Sequence, residues 1–254
     1  MPGPEPAMPA DAAASYDDDY GRWKDWRGEA FATLPAAVRD YLDKEIARLG
    51  PQPIRRVLEI GFGNGQFLRY ARERGWQVSG TEAIAGLVGR ARAAGFDAHP
   101  AAALESLPAG AFDLVVAFDV LEHIPQAELV GFLRAMGRCL APAGVMLCRF
   151  PNGDSPFGRP FQNGDVTHRT IIGEAKLNYL ARAAGLKVLS LRGEARPTVD
   201  RSPRMVLSRL VVRLLEWTIE PCIKRVMFPG WRFALFSPNS VARLCHAPPP
   251  PPGG

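Results

Sequence analysis

The most constraining feature of the chain is a run of three alternate glycines between an apolar segment and an amphipathic one. The apolar segment Arg55–Ile60 predicts a strand, the glycines are Gly61, Gly63 and Gly65, and Gln66–Gly75 predicts a helix. Without Cβ atoms, the backbone can turn sharply there and a ligand can approach it closely. A strand that leads through such a turn into a helix is the opening unit of a parallel α/β sheet.

The alternation of strands and helices continues along the chain. Further strands are predicted over Trp76–Thr81, Phe96–His99, Phe112–Phe118, Ala143–Phe150 and Leu186–Leu191, and helices over Ala83–Gly95, Gln126–Leu140, Ile172–Ala184 and Pro203–Glu220. The last helix is expected to stop at Pro221, because proline lacks the N–H that a helix needs. Two short segments, Trp231–Phe236 and Ser240–Leu244, are candidates for a seventh, antiparallel strand.

Length and composition favour one domain with loose ends. Of the 254 residues, 47% are hydrophobic and 22% charged, so the chain can fill a core and is neither a coiled coil nor disordered throughout. Residues 1–15 and 247–254 are rich in small residues and proline and are predicted to be disordered tails. Between them, 16–246 is predicted to be one domain, in which 16–50 forms a helical lid and 196–235 a basic helical insertion before the last strand.

The net charge of +5 is concentrated near the C-terminus. Residues 196–246 hold nine Lys and Arg against three Asp and Glu, whereas the rest of the chain holds 22 against 23. The helix predicted in this region has an apolar face that could cover the sheet, form a homodimer interface, or rest on an anionic membrane through residues 204–232. No nucleic-acid partner is expected, because this apolar face interrupts the basic residues.

Neither a membrane span nor a secretory signal is predicted, because the sequence lacks a run of 18 uncharged apolar residues and a basic leader. The four cysteines form no Cys-x-x-Cys pair, which argues against a zinc knuckle and a redox dithiol. The expected location is the cytoplasm, with peripheral contact at the inner membrane face as an open alternative.

Two acids near the glycines indicate which ligand binds there. The spacing Gly-x-Gly-x-Gly departs from the dinucleotide fingerprint Gly-x-Gly-x-x-Gly. Glu59 lies two residues before Gly61, where a carboxylate suits an α-amino group better than a pyrophosphate, which needs bare N–H groups. Glu82, at the end of the second strand, can accept hydrogen bonds from both hydroxyls of a ribose. An amino-acid-bearing nucleoside therefore fits.

These motifs, together with Phe118-Asp119-Val120-Leu121-Glu122-His123-Ile124-Pro125 after the fourth strand, resemble those of class I S-adenosylmethionine-dependent methyltransferases. The resemblance covers about Arg55 to Leu191. It implies an α/β fold with a Rossmann-like, seven-stranded, doubly wound sheet whose last strand is antiparallel. It also implies that S-adenosylmethionine binds over the carboxyl ends of the first, second and fourth strands.

Carried over residue by residue, the resemblance implies a full set of cofactor contacts. The methionine end would be held by the first strand and its turn, through Glu59, Gly61, Phe62, Gly63 and Gly65. Glu82 would hold the ribose, Ala83 and Ile84 would flank the adenine, and Phe118 and Asp119 would lie behind the sulfonium. One departure is Ala101-Ala102-Ala103, where such enzymes often place an acid or amide for the adenine amino group.

The long loop after the fifth strand is predicted to form the acceptor pocket, because ligands of open α/β sheets bind beyond the carboxyl ends of the strands. Methyl transfer depends mainly on positioning, and a hydroxyl acceptor also benefits from a general base. His168, oriented by Asp165, is the first candidate for this base and His123 is the second. Alternatively, Asp165 and His168 cap the helix that begins near Ile172. Asp119, Glu122 and His123 could also form a divalent-metal cluster. No metal is predicted, because two carboxylates and an imidazole beside a cofactor commonly serve cofactor binding and local packing.

The acceptor is predicted from a narrower resemblance. Segment 150–157 and Asp165-x-Thr167-His168 are similar to methyltransferases of bacterial polysaccharide and glycan assembly. This implies O-methylation of a saccharide or glycan intermediate; a phosphate acceptor would instead rely on Arg149, Arg159 and Arg169. Methylation of a quinone-like small molecule, and a non-catalytic cofactor-binding partner of another enzyme, stay open as alternatives.

Overall fold

One seven-stranded sheet organises the protein, whose computed structural model describes residues 31–199 and 202–248. Its strands are β1 (Arg56–Ile60), β2 (Gln77–Glu82), β3 (Asp97–Pro100), β4 (Phe112–Phe118), β5 (Leu140–Pro151), β6 (Leu186–Gly193) and β7 (Asn239–His246). They lie in the order β3-β2-β1-β4-β5-β7-β6. β1 pairs in parallel with β2 and β4, and β7 pairs antiparallel with both β5 and β6. The predicted α/β sheet with an antiparallel last strand is confirmed.

Helices cover both faces of the sheet. They are α1 (Ala36–Ala47), α2 (Gln66–Glu73), α3 (Ala85–Ala93), α4 (Leu129–Cys139), α5 (Arg159–Asn163), α6 (Glu174–Ala183) and α7 (Pro203–Met227). Successive strand residues point to opposite faces, so Val57 packs in the cluster that holds α1 and α2, whereas Leu58 packs in the cluster that holds α4 and α6. This two-sided burial explains why β1 and β4 are nearly continuous apolar runs.

The predicted end of the last helix is wrong, because α7 continues through Pro221 to Met227. The turn beyond the proline is fixed by side chains that bond the following segment. Lys224 donates to Glu220 at 3.2 Å and to the carbonyl oxygen of Phe233 at 2.6 Å. These contacts offset the helix hydrogen bond that proline cannot make.

The candidate strand Trp231–Phe236 is also wrong. This segment is irregular, and its backbone groups are bonded by side chains instead of by a neighbouring strand. The hydroxyl of Ser155 donates to the carbonyl oxygen of Leu235 at 2.5 Å, and the Phe236 N–H donates to Glu220 at 3.4 Å. The second candidate strand, Ser240–Leu244, lies within β7.

Several predicted segments lie outside the described residues, namely the tail 1–15, the first part of the lid and the end of the tail 247–254. Within the described part of the chain, no helix is both long and apolar enough to span a bilayer. Because β1, β4 and β5 run in parallel, the segments that follow them meet at one edge of the sheet. That edge, where the strand order reverses, is where ligands bind in open α/β sheets.

Candidate active site

A cavity of about 900 Å³ lies at this edge of the sheet. Its walls come from α1, the glycine turn, the segment after β4, the loop after β5 and residues 194–197. This volume is near the upper end of the ~300–1,000 Å³ that is usual for small-molecule sites, so the cavity is large enough for a nucleoside and a second small molecule. The helix α1, which belongs to the predicted lid, supplies the apolar wall of Ala37, Val38, Tyr41 and Leu42.

Glu59 carries the strongest signal for a cationic ligand. Its side chain lines the cavity but is only 4% exposed, and its Oε2 has no hydrogen-bond partner among the described residues. Burial, followed by the negative charge of Glu82, raises the pKa of Glu59 well above its usual value. A positive group in the cavity would supply the missing partner and favour the carboxylate. The α-ammonium group of S-adenosylmethionine fits this requirement.

The glycine turn packs tightly against the segments around it. Gly61 has φ of +67°, and a Cβ atom on it would lie 2.6 Å from the Cγ2 atom of Val120 after β4. At Gly65, with φ of +76°, a Cβ atom would lie 2.5 Å from the ring of Phe31. Larger residues at either position would therefore meet both backbone strain and a steric clash.

Glu82 is placed differently from the expectation for a ribose ligand. Its carboxylate accepts hydrogen bonds from the backbone N–H groups of Gly63 at 2.8 Å, Ala83 at 2.7 Å and Ile84 at 3.0 Å. It thus ties the glycine turn to the end of β2, and it does not line the cavity. The ribose role of Glu82 and the adenine roles of Ala83 and Ile84 stay predictions.

The predicted cofactor residues that do line the cavity are Glu59, Gly61, Phe62, Gly63, Phe118 and Asp119. Asp119 has a left-handed backbone, with φ of +56°, which non-glycine residues seldom adopt outside functional or constrained sites. Its carboxylate accepts two hydrogen bonds from the guanidinium of Arg149, one of them 2.9 Å long. That guanidinium also lies over the rings of Tyr41 and Phe118, at 5.1 and 5.4 Å from their centroids.

The Asp119–Arg149 pair was missing from the sequence-based site. The sequence did contain one signal for it, because β4 and β5 are neighbours and Phe118 pairs in register with Arg149. A cation bonded in this way is a fixed part of the cavity wall. Arg159 and Arg169, the other arginines considered for a phosphate acceptor, are absent from the lining of the cavity.

The three predicted catalytic residues all line the cavity and lie close together. The rings of His123 and His168 meet edge to face, with centroids 4.6 Å apart. The capping alternative for Asp165 and His168 is wrong: α6 begins after Gly173, and Glu174 donates its backbone N–H to Asp154 at 2.6 Å.

The hydrogen bonds of the cluster assign a different role to each histidine. His168 Nδ1 lies 3.2 Å from the Gln162 carbonyl oxygen, which can only accept, so Nδ1 carries the proton. The other nitrogen, Nε2, lies 3.7 Å from Asp165 Oδ2 and 3.9 Å from Glu122 Oε1. Because its side chain is largely buried between two carboxyl groups, His168 is better placed to support the cluster than to meet an acceptor.

Thr167 links Asp165 to His123. Its hydroxyl donates its only proton to Asp165 Oδ1 at 2.6 Å, so it must accept at His123 Nδ1, 2.8 Å away. This network assigns the proton of the neutral His123 ring to Nδ1 and leaves Nε2 as the nitrogen that can take a proton. Sequence reasoning named Asp165 and His123 but missed the threonine between them.

Glu122 lies beside the histidines and is almost completely buried. Both of its carboxylate oxygens have no hydrogen-bond partner among the described residues. Burial, and secondly the charge of Asp119, raises the pKa of Glu122 well above its usual value. Donor atoms of Glu122, His123 and His168 lie within 4.8 Å of one another, so this set, without Asp119, could hold a divalent ion.

Comparisons with known proteins define the family. The model of the Methyltransferase domain family (Methyltransf_23) matches residues 34–191, and the chain belongs to this family. The protein is therefore an S-adenosylmethionine-dependent methyltransferase, as the resemblance of its motifs implied. Glu59, with its unpartnered oxygen beside the cavity, fits that cofactor.

Individual relatives are more distant. The chain is 25% identical over 221 residues to the ubiquinone biosynthesis O-methyltransferase of Xanthomonas oryzae pv. oryzae, covering 79% of this chain and 90% of that protein. It is 24% identical over 160 residues to the enzyme of the same name from Burkholderia thailandensis, covering 56% and 68%. These relatives do not support the expected likeness to glycan-assembly methyltransferases.

Solved structures share the fold. A SAM-dependent methyltransferase from Archaeoglobus fulgidus superposes with a TM-score of 0.59 at 20% identity, over 82% of this chain and 94% of that one. An S-adenosylmethionine-dependent methyltransferase from Mesorhizobium loti gives a TM-score of 0.54 at 17% identity, over 83% and 99%. At such identities the likeness concerns the fold alone, and the acceptor has to be argued from the site.

Proposed function

We propose that the protein O-methylates an apolar small molecule, with a quinone-like phenol as the first candidate. The observation that carries this proposal is the composition of the cavity described above, whose lining includes both Glu59, with its unpartnered Oε2, and His123. The same wall carries many aromatic and apolar side chains, including Tyr41, Phe67, Phe118, Phe161 and Pro151. Such a wall suits a flat, apolar acceptor better than a saccharide.

The cofactor would bind at the glycine turn, with Glu59 holding its α-ammonium group. Glu82, Ala83 and Ile84 are proposed for the ribose and the adenine, and Phe118 with Asp119 for the region of the sulfur. When bound, the cofactor supplies an electrophilic methyl group. Positioning of an acceptor oxygen against that group supplies most of the rate enhancement.

His123 is proposed as the general base. Nε2 of His123 would accept the proton that the acceptor hydroxyl loses when its oxygen displaces the neutral sulfide from the methyl carbon, breaking the carbon–sulfur bond, while Nδ1 would keep the proton that it donates to Thr167. Asp165 accepts a hydrogen bond from the Thr167 hydroxyl and thereby orients Thr167 and His123. We call the chain of Asp165, Thr167 and His123 the catalytic relay. Such a base typically contributes ~10²–10⁴-fold to the rate.

A phosphate acceptor is disfavoured because the charge of Arg149, the candidate arginine that lines the cavity, is already paired with Asp119. A saccharide hydroxyl stays a candidate because of the sequence of the loop after β5. The distant relatives named for ubiquinone biosynthesis favour the quinone-like alternative. Cytoplasmic location stays a prediction.

The test is methyl transfer from labelled S-adenosylmethionine to a catechol, to saccharides and to protein, each offered separately to the full chain. Label on the catechol is expected. Label only on a saccharide would replace the proposed acceptor, and tight cofactor binding without any transfer would favour the non-catalytic alternative. His123→Gln should lower turnover by about 10²-fold or more. His99→Gln, which changes a histidine on β3 outside the cavity, should leave turnover unchanged.

A further inference from the structure

The longest described helix, α7, turns an apolar face away from the protein. Only Glu220 is buried along its 25 residues. Five apolar residues at helical spacing form what we call the outer stripe: Leu207, Leu210, Val211, Leu214 and Trp217. All five are exposed, from 47% for Val211 to 80% for Trp217. Helices on the surface of globular proteins usually bury such a stripe.

Polar contacts hold the opposite face of α7 against the protein. Glu216 accepts two hydrogen bonds from Arg196, at 2.7 and 3.1 Å, and Glu220 bonds Lys224 and the backbone of Phe236. At about 100° per residue, both glutamates lie on the far side of the helix from Leu214. The Arg196–Glu216 ion pair and the bond of Glu220 to the Phe236 backbone therefore fix the rotation of α7 with the outer stripe pointing outwards.

The charge around the outer stripe is positive. The helix carries five Lys and Arg but only two Asp and Glu, and both acids are engaged in the ion pairs described above. Arg204 and Arg213, which are exposed, lie on either side of the stripe. The stripe is thus an apolar strip bordered by guanidinium groups, which can bind anions and bury their aliphatic stems at the same time.

We propose that the outer stripe docks α7 in the plane of an anionic phospholipid membrane. Leucines and a tryptophan would enter the boundary between headgroups and acyl chains, and the bordering arginines would bind the anionic headgroups. A second copy of the chain is a poorer occupant, because a symmetric contact along the stripe would bring the arginine borders of two copies together. The charge complementarity therefore favours lipid.

Docking would also bring the cavity near the bilayer. Arg196 lines the cavity and is bonded to Glu216 on the opposite face of α7 from the stripe, so one ion pair connects the helix to the cavity wall. An apolar acceptor dissolved in the membrane could then enter without crossing water. This last step rests on the proposed function, whereas binding to lipid can be measured without methyl transfer.

The first experiment is flotation of the full chain with vesicles of phosphatidylcholine, alone or mixed in equal parts with phosphatidylglycerol. Binding is expected only to the mixed vesicles and should weaken with added salt. Leu210→Gln with Leu214→Gln should weaken it about tenfold or more. Removal of Arg204 and Arg213 by glutamine substitution should weaken it about fivefold per charge.

Matched controls lie on α6, which carries exposed residues outside the stripe. Tyr179→Gln and Arg182→Gln remove an apolar and a basic side chain there and should leave vesicle binding unchanged. The stripe variants should still methylate a water-soluble acceptor, because their residues do not line the cavity. Retained activity separates loss of docking from misfolding, and it also separates this inference from the proposed function.

A second readout places the contact on the stripe. Trp217 fluorescence should shift to shorter wavelength when anionic vesicles are added, and the shift should be lost in Trp217→Phe but kept in Trp76→Phe. Equal binding to neutral and anionic vesicles, or no binding at all, would overturn the proposal. So would sedimentation showing a dimer that Leu214→Gln dissociates, because the stripe would then be occupied by a second copy.

Discussion

The hydroxyl of Thr167 offers the sharpest test of the catalytic cluster, because valine has nearly the same shape and lacks only the hydrogen-bonding oxygen. Thr167→Val removes the acceptor of His123 Nδ1 and the donor to Asp165, two hydrogen bonds of 2.8 and 2.6 Å. A hydrogen bond to a charged group contributes about 1.5–3 kcal/mol. If that stabilisation is needed while His123 holds the extra proton, kcat should fall about 10-fold to 150-fold.

The assay is steady-state methyl transfer with cofactor binding measured separately by calorimetry. The loss should appear in kcat, with the Kd for S-adenosylmethionine unchanged, because Thr167 does not line the cavity. Thr167→Ser keeps a hydroxyl and should restore most of the turnover. Thr170→Val is the matched control: Thr170 lies in the same loop and donates to the Ile124 carbonyl oxygen at 2.7 Å, outside the relay. Thr170→Val should lower Tm and leave kcat nearly unchanged. Turnover of Thr167→Val within about twofold of the unmodified protein would refute the relay.

Three further predictions address the buried acids and the candidate metal ligands. Glu59→Gln should weaken binding of S-adenosylmethionine by about ten- to 150-fold in calorimetry, because a charge-assisted contact is lost; unchanged affinity would remove Glu59 from the cofactor site. Burial raises the pKa of Glu122 in the folded protein, so the folded state binds more protons than the unfolded state between the usual carboxyl pKa and the raised one, and stability falls as pH rises through that range. Glu122→Gln should therefore raise Tm at neutral pH and flatten its pH dependence, and an unchanged pH profile in thermal unfolding would contradict this. Chelation by EDTA should leave turnover unchanged if the cluster around His123 acts by proton transfer alone, whereas loss of turnover that a divalent ion restores would assign the cluster to metal.

Local patterns were sufficient for the sheet and the glycine turn, because both depend on residues that are neighbours in sequence. An apolar run such as Phe112–Phe118 forms a buried strand almost wherever it is placed in an α/β fold, and glycines with positive φ define their turn by themselves. The end of α7 could not be predicted in this way. Pro221 is a local stop signal, and it was overridden by contacts between Lys224 and a segment nine residues further along.

The catalytic relay depends on long-range contacts of a kind that the sequence pattern does not contain. Asp165 and Thr167 are two residues apart, but His123 is 44 residues away from Thr167, and their hydrogen bond forms only because the loop after β5 returns to the end of β4. Backbone bonds from Arg169 and Thr170 to the Glu122 carbonyl oxygen hold the two segments together. Periodicity and motif spacing therefore supplied the candidates, and only the return of the loop decides which histidine receives the oriented hydrogen bond.

The direction in which the outer stripe points could not be predicted from sequence patterns either. Periodicity reveals that α7 has an apolar face, and from that alone the face is expected to pack on the sheet, on a second copy or on a membrane. The direction in which the face points is decided by the other side of the helix, where Glu216 pairs with Arg196 and where Glu220 and Lys224 bond the backbone of Phe236 and Phe233. An ion pair at a protein surface contributes little to stability, about 0–1 kcal/mol, yet this pair and the two backbone contacts suffice to set the rotation of the helix, because the alternative rotation would break all three. These weak polar contacts thus leave the outer stripe exposed, and this apolar surface is what a membrane can bind.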